Sequence, residues 1–302
     1  MPSTSVWVKR KWCYKPRTAE GVMVAIARLG VHNLTHRFAW RGLSNCDYEL
    51  TSSLHRSLER AGETCITEDK IRDKELEILE QARDWGLGIE GGSMVDDLQL
   101  LADLQHFGVP TRLIDVTSNP MTALWFACRS NGGGGNERSG VLIALNIAKW
   151  YKEGKKKGGK TEDKSVFRTV GNPGVTKGDL GAQLCAGLKL KTPFVVSSDI
   201  RNSRLRAQEG YFIACHHPDE PTNPLTSLDV KFSDPKANIS KYLEADRGQG
   251  RRPTIPYFAI IVPSHVKKDL RIHLQNTFNR SPKSLFPDYQ GFSDYANETL
   301  FR

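Results

Sequence analysis

LQHFGVPTRLIDVTSNPMTALWFA, residues Leu104 to Ala127, is the stretch on which the reading of this chain turns. It sets Gln105, His106, Arg112, Asp115 and Asn119, all suited to binding or proton transfer, among apolar residues. Pro110 fixes its own backbone and disfavours helix at Val109, so a helix running from Asp97 to Phe107 must end there. Thr117 to Asn119 can cap a following helix, and Pro120 suits its first turn because its missing N–H is not needed there. Met121, Leu124, Trp125 and Phe126 continue at helical spacing. A helix, a rigid turn carrying charged groups and a second apolar helix would wall a polar pocket.

Working outward, Val22, Ile26 and Leu29 predict an amphipathic helix over 18–29, and Phe38 to Leu43 a short strand carrying Arg41. Ser52 to Leu58 reads as a turn entering a helix. Thr67 to Trp85 reads as a charged helix capped by Thr67, its stripe made by Ile71, Leu76, Ile78 and Leu79 and its acidic and basic residues forming the wet face. Gly86 to Gly92 lacks the ending of a phosphate loop and is expected to be a flexible loop. Gly140 to Leu145, Pro193 to Ser197, Gly210 to Cys215 and Pro256 to Val262 are strand-like runs, and Val266 to Leu274 is helical. The Gly-rich 131–136, the Lys/Gly-rich 151–181 and the irregular 219–252 are expected to be a loop tip, an insertion and an excursion. Strands and helices alternate without regular βαβ spacing, which predicts an α+β fold: one domain over 20–302 behind an N-terminal arm at 1–19, with a mixed or antiparallel sheet and flanking helices.

Composition narrows the function classes. The 302 residues suffice for a substantial core, and no apolar run approaches the ~20 residues of a membrane helix. No apolar signal region follows Met1, so a cytoplasmic protein with no membrane partner is expected. The six cysteines form no CxxC pair, and His106 and His216-His217 lack metal-ligand spacing with carboxylates, so no metal is expected. An excess of 43 Lys+Arg over 34 Asp+Glu favours encounter with an anion, whether a nucleotide or a nucleic acid.

Several segments share a resemblance. QHFGVPTRLIDVTSNP, Trp40-Arg41-Gly42 within WRGLSNCDYELTSSLHR, the run from Arg204 to Phe212, and Leu285-Phe286-Pro287-Asp288 together resemble the FRG domain family, whose name comes from an aromatic-Arg-Gly triplet. That resemblance spans roughly 20–295 and carries no settled activity. More weakly, the triplet in an early strand resembles the first motif of arginine-type ADP-ribosyltransferases. There the arginine holds the phosphates of NAD, which is consumed as substrate, and the sheet is split. Ala207-Gln208-Glu209 matches only part of the Gln/Glu-x-Glu motif of those enzymes, and a Ser-Thr-Ser strand is lacking.

These readings converge on a cleft for a base-containing anion. Trp40, Arg41, Gly42, Arg112, Thr117, Asn119 and Arg204 are the expected binding residues, with Gly42 letting a ligand approach the backbone. His106, Asp115, Gln208 and Glu209 are the expected catalytic ones. Asp115, inside an apolar run, needs a partner if buried, and Arg112 is the expected one, in a structural pair or an active-site pair. If Arg204 to Gln208 runs into a strand, Arg204, Arg206 and Gln208 share a face and Glu209 points away. The leading expectation is transfer or hydrolysis of ADP-ribose from NAD. A nucleic-acid-binding or nuclease-like domain, using a basic surface that includes Lys155 to Lys160 and Arg251-Arg252, is the second. A nucleotide sensor without chemistry is the third.

Overall fold

A computed structural model describes residues 12–32, 37–130, 137–147, 166–168, 193–197, 203–217 and 257–300, together with Trp7, Leu180, Leu184, Leu188 and Leu243. The basic stretches at 155–160 and 251–252, the glycine run at 131–136 and nearly all of 219–252 lie outside these residues. No helix of the described residues is long and apolar enough to cross a membrane.

The strands are β1 (Cys13–Tyr14), β2 (Phe38–Leu43), β3 (Ile89–Glu90), β4 (Ser93–Met94), β5 (Ile114–Thr117), β6 (Gly140–Asn146), β7 (Val166–Arg168), β8 (Phe194–Ser197), β9 (Gly210–Ala214) and β10 (Tyr257–Val262). The helices are α1 (Ala19–His32), α2 (Ser53–Arg60), α3 (Glu68–Asp84), α4 (Asp97–His106), α5 (Pro120–Ala127), α6 (Ser203–Ala207), α7 (Lys267–Phe278), α8 (Pro282–Leu285) and α9 (Tyr289–Thr299). Eight strands form one sheet in the order β1-β10-β6-β2-β5-β9-β8-β7. It is antiparallel except where β1 joins β10 and β7 joins β8. The fold is α+β. β6 and β10 are buried along their whole length, which explains their unbroken apolar sequences.

Described residues within 1–19, expected to be an N-terminal arm, join this body. β1 edges the sheet, and Trp7 and Trp12 are buried in the core. Val166–Arg168 forms β7 inside the stretch expected to be an insertion loop. Gly86 to Gly92 likewise leads into a small hairpin, β3 and β4, whose turn glycines Gly91 and Gly92 take positive φ.

The sheet is nearly divided. β2 pairs with β6 along all its residues, and β5 pairs with β9 along all of its own, yet β2 and β5 share the single registered pair Trp40–Thr117. The fully split sheet that the ADP-ribosyltransferase resemblance implied is therefore not formed; one pair joins the halves. Beside this joint α5 lies against β2 so closely that a Cβ on Gly42 would come 1.8 Å from the Ala123 carbonyl oxygen. Gly42 is thus required by helix–sheet packing. Gly140 repeats the constraint at the other end of α5, where a Cβ would meet the Ala127 oxygen at 2.2 Å.

Arg112 does not pair with Asp115. Three residues apart in a chain entering a strand, the two side chains point to opposite faces. Arg112, 4% exposed, holds Glu75 Oε2 through Nη2 at 2.5 Å and Glu68 Oε1 through Nη1 at 3.0 Å. Glu68 also accepts from Arg72 Nε at 2.7 Å and from the His217 backbone N–H at 2.7 Å. Those glutamates, expected on the wet face of α3, occupy its buried stripe with Ile71, Leu79 and Ala82. Two turns apart, Glu68 and Glu75 face the same way and meet one guanidinium.

Removing one partner of a buried ion pair strands the other charge, and Glu75 is held by Arg112, so Arg112→Ala should lower unfolding free energy by about 3–5 kcal/mol in urea titrations. Asp115→Ala, at an exposed carboxylate, should cost less than about 1 kcal/mol. Burial raises the Glu68 pKa, but Arg112, Arg72 and the His217 N–H outweigh it and hold the carboxyl below its usual value. Its contribution to stability should be complete above the unfolded carboxylate pKa, about 4.3, and disappear as pH falls through the lower folded value.

Candidate functional site

Next to the β2–β5 joint lies a pocket of about 250 Å³. β2 supplies Trp40, Arg41 and Gly42; the end of α4 supplies Gln105 and His106; β5 supplies Asp115, Val116 and Thr117. α5 adds Thr122, Ala123 and Phe126, α6 and the turn after it add Arg204, Leu205 and Gln208, and Gly210 and Phe286 complete the wall. Segments as distant in sequence as β2, α4 and the turn after α6 thus bring Arg41, His106, Asp115 and Gln208 to one pocket.

The polar floor is a chain of oriented groups. Thr111 Oγ1 donates to Gln105 Oε1 at 2.9 Å, which turns the other end of that amide so that Nε2 donates to Asp115 Oδ2 at 3.0 Å. Arg41 Nη1 donates to the Asp115 backbone oxygen at 2.5 Å and lies 3.6 Å from its carboxylate. Asp115 keeps a side chain 51% exposed although it sits mid-strand in the sheet. Its apolar neighbours Ile114 and Val116 are buried, so the apolar run around it marks the sheet's packing and not burial of the carboxylate.

On the far side, Arg204 binds Asp288 through two hydrogen bonds of 2.8 and 2.7 Å and lies 5.1 Å from the centroid of the Phe286 ring. The Arg204 hydrogen bond is the main reason the Asp288 carboxyl sits below its ordinary value. Gln208 Nε2 donates to the Leu285 carbonyl at 3.1 Å, so its amide ties α6 to α8 while lining the pocket. Ser203–Ala207 is a short helix and not the start of a strand. Helical spacing puts Arg204 and Gln208 on one side and leaves Arg206 exposed.

His106 closes α4 and makes no hydrogen bond to another described residue through its ring; Phe107 meets it edge-on. Burial, and after it the charge of Arg204, lower its pKa against the opposing pull of Asp288 and Asp115. Both effects favour the neutral imidazole, the form with a nitrogen lone pair that can accept a proton.

Arg112, Asn119 and Glu209, expected in the site, are not among the pocket-lining residues. Arg112 is sequestered by the two glutamates of α3. Asn119 caps α5, accepting from the Met121 N–H at 2.9 Å, while its Nδ2 donates to Glu209 Oε1 at 2.8 Å. Glu209 adopts φ 49° and also accepts from Arg280 Nη2 at 2.8 Å. Gln105, expected to be suited to binding or proton transfer, does line the pocket; the residues missed were Thr122, Phe126 and Phe286. Phe286 belongs to a segment quoted for the family resemblance, whereas Phe126 and Thr122 sit on a helix that reads as ordinary core. Among the described residues, no group of three or more His, Cys, Asp or Glu side chains converges as a metal site would.

Residues 36–133 match the FRG domain. The match takes in Trp40, Arg41, Gln105, His106, Asp115 and Thr122, and stops short of Arg204, Gln208 and Phe286, so the FRG segment supplies one side of the pocket and the later chain the other. No curated protein and no solved structure matches this chain.

The electrostatics give a direct check. Arg204→Gln removes the cation that lowers the His106 pKa and frees the Asp288 charge that raises it. Both changes push the imidazole up, so ring-proton NMR titration should show His106 titrating below the usual value of about 6.5 in the wild type and higher in the variant.

Proposed function

We propose that the FRG pocket binds the reacting end of NAD and cleaves the bond between nicotinamide and ribose, transferring or hydrolysing ADP-ribose. The observation that carries this reading is the Asp115 carboxylate. It is held by Gln105 and Arg41 yet half-exposed in a pocket that Arg204, Trp40, Phe126 and Phe286 also line. A volume of about 250 Å³ lies below the ~300–1,000 Å³ of whole-ligand pockets and suits one ring with its ribose, the remainder of the dinucleotide extending past the rim.

In this reading the C–N bond breaks with its electron pair leaving on nicotinamide, and the ribosyl carbon gains positive charge. Asp115 stabilises that charge, Arg41 and Arg204 offer hydrogen bonds to the phosphates, and neutral His106 accepts the proton of the attacking water or acceptor hydroxyl. Glu209 has no part: its carboxylate is held by Arg280 and Asn119 outside the pocket. In this reading the carboxylate that acts is Asp115 on β5, a departure from the ADP-ribosyltransferase pattern.

Nicotinamide release from NAD, followed by chromatography, tests the proposal. Asp115→Asn keeps an acceptor for Gln105 but loses the charge, and the rate should fall by about 10²–10³-fold with little change in stability. Arg41→Lys keeps charge without the planar fork and should weaken NAD binding in calorimetry. Wild-type protein that binds NAD without releasing nicotinamide would leave a sensor in place of an enzyme. No binding at all would remove NAD as the ligand.

A further inference from the structure

If the pocket encloses one ring and its ribose, the phosphates of a dinucleotide lie at the rim, and several guanidinium groups around the pocket are already engaged. Arg112 is enclosed by Glu68 and Glu75. Arg204 donates to Asp288 through Nε and Nη2, and Arg280 is paired with Glu209. Arg41, in the pocket wall, lies 3.6 Å from the half-exposed Asp115 carboxylate. Two further arginines, Arg56 and Arg60, are exposed on α2. Arg56 Nη1 donates to the Thr51 carbonyl at 2.5 Å, and Arg60 donates to the Arg56 carbonyl and the Ser57 hydroxyl. Neither forms an ion pair among the described residues.

α2 is anchored to the floor of the pocket at its N-terminal end. Ser53 Oγ lies 3.0 Å from Gln105 Oε1 and donates to the Thr111 carbonyl at 3.1 Å, and the Leu54 N–H donates to the same carbonyl at 3.0 Å. Ser53, Arg56 and Arg60 follow at spacings of three and four, so they share one side of the helix, which starts at Gln105 and ends at the exposed Arg60. Leu54 and His55 are buried on another side, and Glu59, the one acid of this helix, lies 3.3 Å from His55 Nε2. The Arg56 guanidinium feels the charges of the pocket wall. Burial, then Arg41 and Arg60, lower its pKa, while Asp115 and Glu59 oppose them. Three arginines from β2 and α2 are thus gathered beside the pocket although like charges repel, and although a like pair at i, i+4 weakens a helix.

We infer that Arg56 and Arg60 extend Arg41 into a phosphate-binding rim, along which the diphosphate of the ligand leaves the pocket on the α2 side. The inference rests on the proposed NAD reading of the same pocket and names the groups that hold what the pocket does not enclose. A guanidinium presents its N–H groups in a planar fork that matches phosphate oxygens. Arg56 retains Nε and Nη2, and Arg60 retains Nη1, with no partner among the described residues. An anion set among the three cations also relieves their mutual repulsion. Arg56 and Arg60 are binding residues, and Asp115 and His106 remain the groups assigned to the chemistry.

Arg56→Gln and Arg60→Gln each remove one charge, and the second leaves the Arg56 bond to Thr51 intact. Calorimetric titrations of wild type and both variants with NAD, with inorganic pyrophosphate and with a single-stranded oligonucleotide, at several salt concentrations, test the rim. Each variant should bind NAD about 10- to 100-fold more weakly, the size of a hydrogen bond to a charged group. Pyrophosphate should weaken with it, and the loss of NAD affinity with added salt should be shallower in the variants than in wild type. NAD bound equally by all three proteins overturns the inference. So does weaker binding with an unchanged salt dependence, which marks a disturbed pocket and not a lost phosphate contact. In both cases the NAD reading stands on its own nicotinamide-release assay. Wild type that binds pyrophosphate but not NAD, with the loss in both variants, supports the rim and removes NAD as the ligand. Oligonucleotide bound through these arginines, with neither NAD nor pyrophosphate bound, overturns the diphosphate in favour of a nucleic-acid backbone. Wild type that binds none of the probes overturns the rim and the NAD reading together.

Discussion

Arg41 reaching the Asp115 backbone oxygen across the β2–β5 joint is the contact around which the site is arranged. The two strands pair at Trp40–Thr117 alone, so nearly the whole connection between the halves of an eight-stranded sheet has to come from side chains and flanking helices. A sheet that opens in its middle exposes backbone polar groups and mid-strand side chains that a continuous ladder would bury, and those groups need partners. The Arg41 guanidinium supplies one. In doing so it sits at the mouth of the opening, where a mid-strand aspartate can remain exposed and still be precisely oriented by Gln105.

What keeps the opening in one shape is the packing around it. α5 lies almost on the backbone of β2 and β6 because Gly42 and Gly140 have no Cβ, which brings Thr122 and Phe126 down to the pocket. On the other side, the buried Arg112 with Glu68 and Glu75 ties the entry of β5 to α3 and, through the His217 N–H, to the chain leaving β9. A buried triad of this kind is an uncertain source of net stability, because desolvating three charges costs about as much as their attraction returns. Its geometric demand is strict, however, and it places β5 relative to α3 with little freedom. Arg204 with Asp288 and Gln208 with the Leu285 carbonyl do the same for the late segment that carries Phe286.

The site therefore separates into groups already engaged and groups still available. Arg204, Gln208, Gln105 and Thr117 each hold another part of the protein while lining the pocket, so their substitution would disturb both fold and binding. His106 makes no side-chain hydrogen bond to a described residue, and Asp115 retains an exposed carboxylate. Residues of this second kind are where a ligand can act without first breaking a protein contact.

Most secondary structure was legible in the chain itself. Phe38 to Leu43 emerges as β2 with the expected ends, Thr67 caps α3, and Asn119-Pro120 starts α5, since strand runs, caps and proline act over a few residues. The candidate pocket was legible in part, through Arg41, His106, Asp115, Arg204 and Gln208. Pairing was not. Arg112 and Asp115 are close in sequence but face opposite ways, and the partners of Arg112 are glutamates on a helix 37 and 44 residues away. Gly42, which lines the pocket, also makes room for a helix, and Glu209, expected in the site, is held by Arg280. In each case local pattern determines which groups the chain carries and which element they stand on. Only the packing of those elements decides which charges meet and which carboxylate stays open to a ligand, because these depend on distances between segments that no local pattern encodes.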